Sequence, residues 1–244
     1  MRSLSPSELL GAWERGLTQS LIQRALELLS AVYPHASPDL LHGLSIGQRD
    51  AELLALREQL FGPEMASVAV CPQCRARLDV TLNTYEMRCA RALEPEAEVA
   101  FGVAGYELQF RLPNSNDLAA ALDYGDADQA QERLLSRCLL GAQRDGTSVA
   151  CAQLPREVVD AIWDRMARAD PLADIQLAVS CPVCNHHWRA TFDIVSFLWS
   201  EIDNLAGRLL RDVHTLASSY GWHEKDILAL SPVRREFYLT LLES

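Results

Sequence analysis

Apolar residues recur at three- and four-residue steps along the first part of the chain: Leu9, Leu10, Trp13, Leu17, Leu21, Ala25 and Leu28. That period predicts an amphipathic helix over residues 7–32. Ser5 or Ser7 can cap it, Pro6 falls in its first turn, and Pro34 and Pro38 close it. A short helix near 38–42 and a longer one over 48–61 follow, the second stopping at Gly62-Pro63. The period then changes to two. Residues 98–112 alternate as Val99, Phe101 and Val103, a turn at Ala104-Gly105, then Tyr106, Leu108, Phe110 and Leu112, which predicts a hairpin. Helical spacing returns over 116–123, 127–142 and 155–169, with Arg144-Asp145-Gly146 as the break between the last two. Ile194, Phe197, Leu198, Ile202, Leu205, Leu209, Val213 and Leu216 predict a long helix over 194–219, stopped by Gly221. Short helices over 224–230 and 232–242 end the chain.

Two cysteine hooks interrupt this pattern: Cys71-Pro72-Gln73-Cys74 and Cys181-Pro182-Val183-Cys184. Each is followed by alternating apolar and polar residues. Aligned on the hooks, Leu78 falls on Trp188, Val80 on Ala190 and Leu82 on Phe192. Two similar strand–hook–strand units, each offering two thiols, predict one four-cysteine zinc site, because structural zinc takes four ligands and two matched CxxC pairs supply them. Two separate reduced pairs or redox dithiols are the competing readings. A thioredoxin-like pair would open the helix of a βαβ unit, and no such unit is visible. His186 or His187 could replace one thiol, although four cysteines already complete the shell. Cys89, Cys138 and Cys151 are scattered; the Cys138 segment reads as helical core.

The expected fold is therefore mainly α with a small antiparallel β-sheet built around a four-cysteine zinc ribbon, an α+β class. We expect one intertwined domain over 1–244: N-terminal helices over 1–65, zinc-ribbon and hairpin sheet from 66–113 and 176–193 together, a helical insertion over 114–175, and C-terminal helices over 194–244.

Composition narrows the function. The net charge is -11 and the sequence pI about 5.0, which opposes electrostatic binding to nucleic acid or an anionic membrane. The first residues lack the apolar core of a signal peptide. No apolar run is long enough to span a bilayer, and the cysteine usage suits a reducing cytoplasm. Common nucleotide-binding, zinc-protease and serine-hydrolase motifs are absent. His214 and His223 stand alone and read as surface or helix-end residues. Residues 214–230 have the lengths of a helix-turn-helix, but Glu224 and Asp226 there face a single lysine, Lys225. No catalytic role is expected. Trp222, Ile227, Leu228, Leu230, Phe237 and Tyr238, flanked by Arg234 and Arg235, form an aromatic and arginine cluster of the kind enriched at binding hot spots; packing back on the long helix as ordinary core is the stronger reading for the apolar members and the weaker one for the arginines.

Three passages together resemble a known family: residues 43–50 (GLSIGQRD) with 53–57 (LLALR), the two CPxC hooks, and the ending from Tyr220-Gly221-Trp222 through Ser231-Pro232 to Tyr238-Leu239. They are similar to the baseplate hub assembly chaperones of contractile phage tails and phage-tail-like injection systems. The resemblance implies a non-enzymatic assembly factor or accessory baseplate component whose partners are baseplate or other tail proteins, with no nucleic acid and no membrane insertion. The hooks depart from members found in short phage genomes, so assistance in assembly and residence in the particle both stay open. The alternative is a zinc-ribbon regulator binding nucleic acid or the transcription machinery.

Overall fold

The apolar stripe over residues 7–32 is carried by two helices, not one. α1 spans Pro6–Gly16 and α2 spans Leu21–Val32. Ser5 and Glu8 form a capping box at the start of α1, and the Ser20 side chain accepts the Gln23 N–H at the start of α2. The stripe keeps its phase across the turn, so periodicity alone conceals the break; Ser20, a second N-cap residue, was the signal. Arg24 donates to the Gly16 and Leu17 carbonyls, each at 3.0 Å, and so satisfies the open end of α1.

α3 (Pro38–Gly43) and α4 (Ile46–Phe61) follow. The hairpin β1 (Glu64–Val70) and β2 (Arg77–Asn83) leads into α5 (Thr84–Cys89). β3 (Glu98–Val103) and β4 (Tyr106–Arg111) form the expected hairpin, with Ala104 and Gly105 both at positive φ in the turn. α6 (Ser115–Leu122) and α7 (Ala127–Cys138) come next. The computed structural model describes residues 1–89, 98–122 and 125–243, so the expected last residue of the helix over 116–123 and the Cys89 side chain lie outside the described set.

The helix expected over 127–142 ends at Cys138. The chain continues as β5 (Leu139–Arg144), antiparallel to β4, and turns back as β6 (Thr147–Ser148). Leu139-Leu140 fits either period, and pairing with β4 decides for strand. Asp145 (φ 49°) and Gly146 (φ 74°) form that hairpin turn; Asp-Gly is a strong hairpin signal, here mistaken for a helix separator. A short 3-10 turn (Cys151–Gln153) and α8 (Arg156–Ala169) follow. The inward side chains of β4, Tyr106, Leu108 and Phe110, pack with Leu135 and Cys138 of α7 and Val158, Ile162 and Met166 of α8 in one buried cluster.

β7 (Ile175–Ser180) and β8 (His187–Phe192) make a second hook hairpin, and α9 (Ile194–Tyr220), α10 (Glu224–Ala229) and α11 (Pro232–Glu243) complete the chain. Among the described residues the strands form three sheets, β1-β2, β3-β4-β5-β6 and β7-β8, in place of the expected one, and each hook hairpin pairs only within itself. Contacts group the chain into two units, Ser37–Asp193 and Met1–Ala36 with Ile194–Ser244. In the latter, α1, α2, α10 and α11 all pack on α9. Its buried stripe includes Leu198, Ile202, Leu209, Val213 and Leu216. Gly16 lies where an added Cβ would overlap the Trp199 ring, and Trp13 Nε1 donates to Asp203 at 2.9 Å. Among the described residues, no helix is long and apolar enough to cross a membrane.

The GLSIGQRD segment explains itself inside the Ser37–Asp193 unit. Ser45 and Gln48 form a capping box that opens α4. The Gly47 N–H donates to the Asp170 carboxylate at 2.9 Å, and any Cβ on residue 47 would overlap that carboxylate. Gly47→Ala should therefore destabilise the protein by roughly 2–4 kcal/mol, combining overpacking with a weakened charged hydrogen bond; equilibrium urea unfolding measures it.

Candidate metal centre

Each hook is a six-residue connection between two antiparallel strands, and the two are built alike. In the first, the Cys71 N–H donates to the Ala76 carbonyl (2.9 Å) and the Arg75 N–H to the Cys71 carbonyl (3.0 Å); in the second, Cys181 pairs with His186 (2.9 Å) and Asn185 with Cys181 (2.9 Å). The fifth residue is left-handed in both, Arg75 at φ 62° and Asn185 at φ 55°. Asparagine tolerates that region; arginine is strained there. The strand register also repeats: Ala69 faces Leu78, and Val179 faces Trp188.

The turn aims backbone N–H groups at sulfur. Ala76 N–H reaches Cys74, His186 N–H reaches Cys184, and the Val183 and Cys184 N–H groups reach Cys181. The hooks meet: Cys71 and Cys184 sulfurs are 3.7 Å apart, Cys74 and Cys181 3.6 Å, and all four lie within 4.8 Å of one another. A zinc–thiolate tetrahedron with bonds of about 2.3 Å has edges of about 3.8 Å. Donor type, number and spacing fit one tetrahedral metal ion. Cys71 and Cys181 are buried, Cys184 is half-buried and Cys74 exposed.

The thiols cannot share this volume evenly as anions. Burial raises Cys181, but the backbone N–H groups of Cys184 and Val183 and the neighbouring sulfurs bring it down to about 7. Cys184 receives the His186 N–H yet is pushed up to about 12 by desolvation and by the Cys74, Cys181 and Cys71 sulfurs. One thiol is eased towards the thiolate and another is held back from it, a distribution of charge that a bound cation would relieve. His186 stacks on Trp188 with centroids 5.9 Å apart, and His187 pairs with Ser180 at 2.7 Å. Neither joins the sulfurs.

Buried charges place the first hairpin. Arg57 of α4, 3% exposed, donates to the Gly62 and Glu64 carbonyls where the chain enters β1. At the far end the Thr84 hydroxyl donates to Glu58 (3.1 Å), which also pairs with Arg88 (2.8 Å). Arg49 and Asp50 form a buried pair at 2.8 Å. Elsewhere in the unit, fully buried Asp117 accepts from Arg111, Arg137 and the Asn114 N–H. Sequence reasoning quoted the 43–57 segment only as a resemblance and missed these roles. Charged residues at helical core positions, Arg49, Asp50 and Arg57, were the available signal.

The C-terminal cluster divides. Ile227 is fully buried, and Arg235 is buried with its Nε 3.0 Å from Asp212; both turn inward and are removed from the accessible surface. Trp222 and Tyr238 are half-buried, packed edge to face at 4.9 Å, with Tyr220 stacked on Trp222 at 4.8 Å. Arg234 is exposed. Val233 and Phe237, one turn apart on α11, are 80% and 61% exposed; Phe237 belongs to the expected contact surface, and Val233 was not singled out from sequence. His214 and His223 are exposed.

The model of the T4 bacteriophage base plate protein family matches residues 7–199, a span that contains both hooks and the whole Ser37–Asp193 unit. The chain belongs to this family and is a phage baseplate-related protein. No curated protein and no solved structure matches it.

Burial pushes the Asp50 carboxyl from 3.8 up to about 6 against the pull of Arg49, with Asp193 and Asp170 adding to the rise. A raised folded-state value means that this contribution to stability is complete below the unfolded value and is lost as pH rises through about 6. Relative to the wild type, Asp50→Asn should thus gain roughly 2–2.5 kcal/mol between pH 4 and pH 7. Paired denaturant titrations check this, and the difference cancels titrations common to both proteins.

Proposed function

We propose that this protein is a non-enzymatic assembly factor or accessory component of the baseplate of a contractile tail or tail-like injection system. It acts by protein–protein binding, with one structural zinc ion held by Cys71, Cys74, Cys181 and Cys184. The observation that carries the reading is the base plate family match across residues 7–199, which takes in both hooks. The zinc assignment is supported by four thiols at tetrahedral spacing on two matching turns. Zinc in such a shell neutralises thiolates and cross-links chain segments; with four protein ligands it keeps no open position, which favours a structural over a catalytic ion. The acidic composition favours protein partners over nucleic acid.

The first test is the ion. Elemental analysis of protein expressed in zinc-replete medium should give one zinc per chain. Cys181→Ser should destabilise the Ser37–Asp193 unit by several kcal/mol, because metal binding closes a loop of 107 or more residues absent from the unfolded state. No zinc, or unchanged unfolding, would remove the metal from the proposal.

The second test is the partner. Arg234 and Phe237 present an exposed cation and ring beside Trp222 and Tyr238 on the C-terminal helices, and we assign this face to a baseplate protein. Arg234→Ala and Phe237→Ala should each weaken capture of baseplate proteins from a producing lysate about thirtyfold, with circular dichroism unchanged. Equal capture by all variants moves the interface elsewhere. Recovery of RNA polymerase or DNA in place of tail proteins would favour the zinc-ribbon regulator.

A further inference from the structure

A cavity of about 240 Å³ opens on the Ser37–Asp193 unit between α7, the 3-10 turn at Cys151–Gln153 and α8. Its construction is amphipathic. Asp128, Glu132 and Leu135 follow one another by a turn along one face of α7, so two carboxylates stand above a buried leucine. Val159 and Trp163, also one turn apart on α8, form the opposite wall, and Trp163 is half-buried against the core cluster. Leu154 completes the apolar floor.

Among the described residues neither Asp128 nor Glu132 is ion-paired through its side chain, whereas on α8 the nearby Asp160 lies 3.9 Å from Arg156. The adjacent base, Arg133, lines a separate depression with Gln129, Glu132 and Ser136 and does not line this one. The Cys151 thiol in the wall responds to the same field: burial pushes it up, and the Glu132 carboxylate pushes it further. Two exposed carboxylates alone would be a solvated surface. Here they rim an apolar hollow with a tryptophan wall, where a cation gains both charge pairing and contact with the ring.

We propose that this cavity is the docking site for an arginine side chain presented by a protein partner. The planar guanidinium suits it better than an ammonium. It is weakly hydrated, it stacks on the Trp163 ring, and its fork of donors can engage Asp128 and Glu132 together while the aliphatic stem lies along Leu135 and Val159. That the partner is a baseplate protein rests on the proposed function; the selectivity of the cavity does not.

The full chain, labelled with 15N, is titrated with the capped peptide Gly-Arg-Gly and with its neutral citrulline counterpart, following the Trp163 indole N–H resonance assigned by its loss in Trp163→Phe. The arginine peptide should give a saturable shift and the citrulline peptide none. Asp128→Asn/Glu132→Gln, which alters only exposed side chains, should weaken binding about tenfold or more. Equal shifts with both peptides, no saturable shift, or unchanged affinity in the double variant would overturn the proposal. The same variant is then used in the lysate capture. Reduced recovery of baseplate proteins assigns the arginine to them, and undiminished recovery overturns that assignment. If the wild type itself captures no baseplate protein, the proposed function fails, while the peptide titration still decides the cavity.

Discussion

Four sulfur atoms from segments 107 to 113 residues apart converge to edges of 3.6 and 3.7 Å, and the Ser37–Asp193 unit is arranged around making that convergence possible. Closing a loop of that length costs on the order of 4 kcal/mol of chain entropy. A two-stranded hairpin is at best marginally stable by itself, and among the described residues neither hook hairpin borrows strands from another sheet. Both must therefore be held by something other than sheet pairing. At their tips they meet through the sulfur cluster, whose thiols resist joint ionisation unless a cation compensates them.

At the other end of the first hairpin the anchors are buried and half-buried charges. Arg57 caps the carbonyls that lead into β1, and Glu58 joins Thr84 and Arg88 where β2 passes into α5. Asp170 accepts from the first turn of α4, tying residues 123 positions apart. Each such charge costs desolvation energy, which the hydrogen bonds named here offset. Their directionality gives what apolar packing does not, a fixed orientation for a thin hairpin.

The two outward faces discussed above use different physics. The C-terminal helices expose Val233 and Phe237 beside an aromatic cluster, a surface suited to apolar burial. The cavity between α7 and α8 combines carboxylates with a tryptophan, a surface suited to a cation.

The hooks were legible in the sequence because two ligands three residues apart are a local property: the turn that aims both sulfurs forms within six residues, and its duplication at Cys71 and Cys181 is visible by alignment. The long helix α9 and the β3–β4 hairpin were legible for the same reason, since their periods repeat within the segment itself. What tertiary structure decided was each case in which two local conformations were nearly equal or a partner was distant. Leu139–Arg144 became a strand because β4 offered an edge. The stripe over residues 7–32 divided because Gly16 had to pass the Trp199 ring while Arg24 sealed the turn. Ile227 and Arg235 went inward, Arg235 onto Asp212, and Phe237 stayed outside, though all three belong to one short aromatic and basic ending. Local sequence encodes period, turn and ligand spacing; which face is buried depends on surfaces supplied from elsewhere in the chain, and those exist only once it has folded.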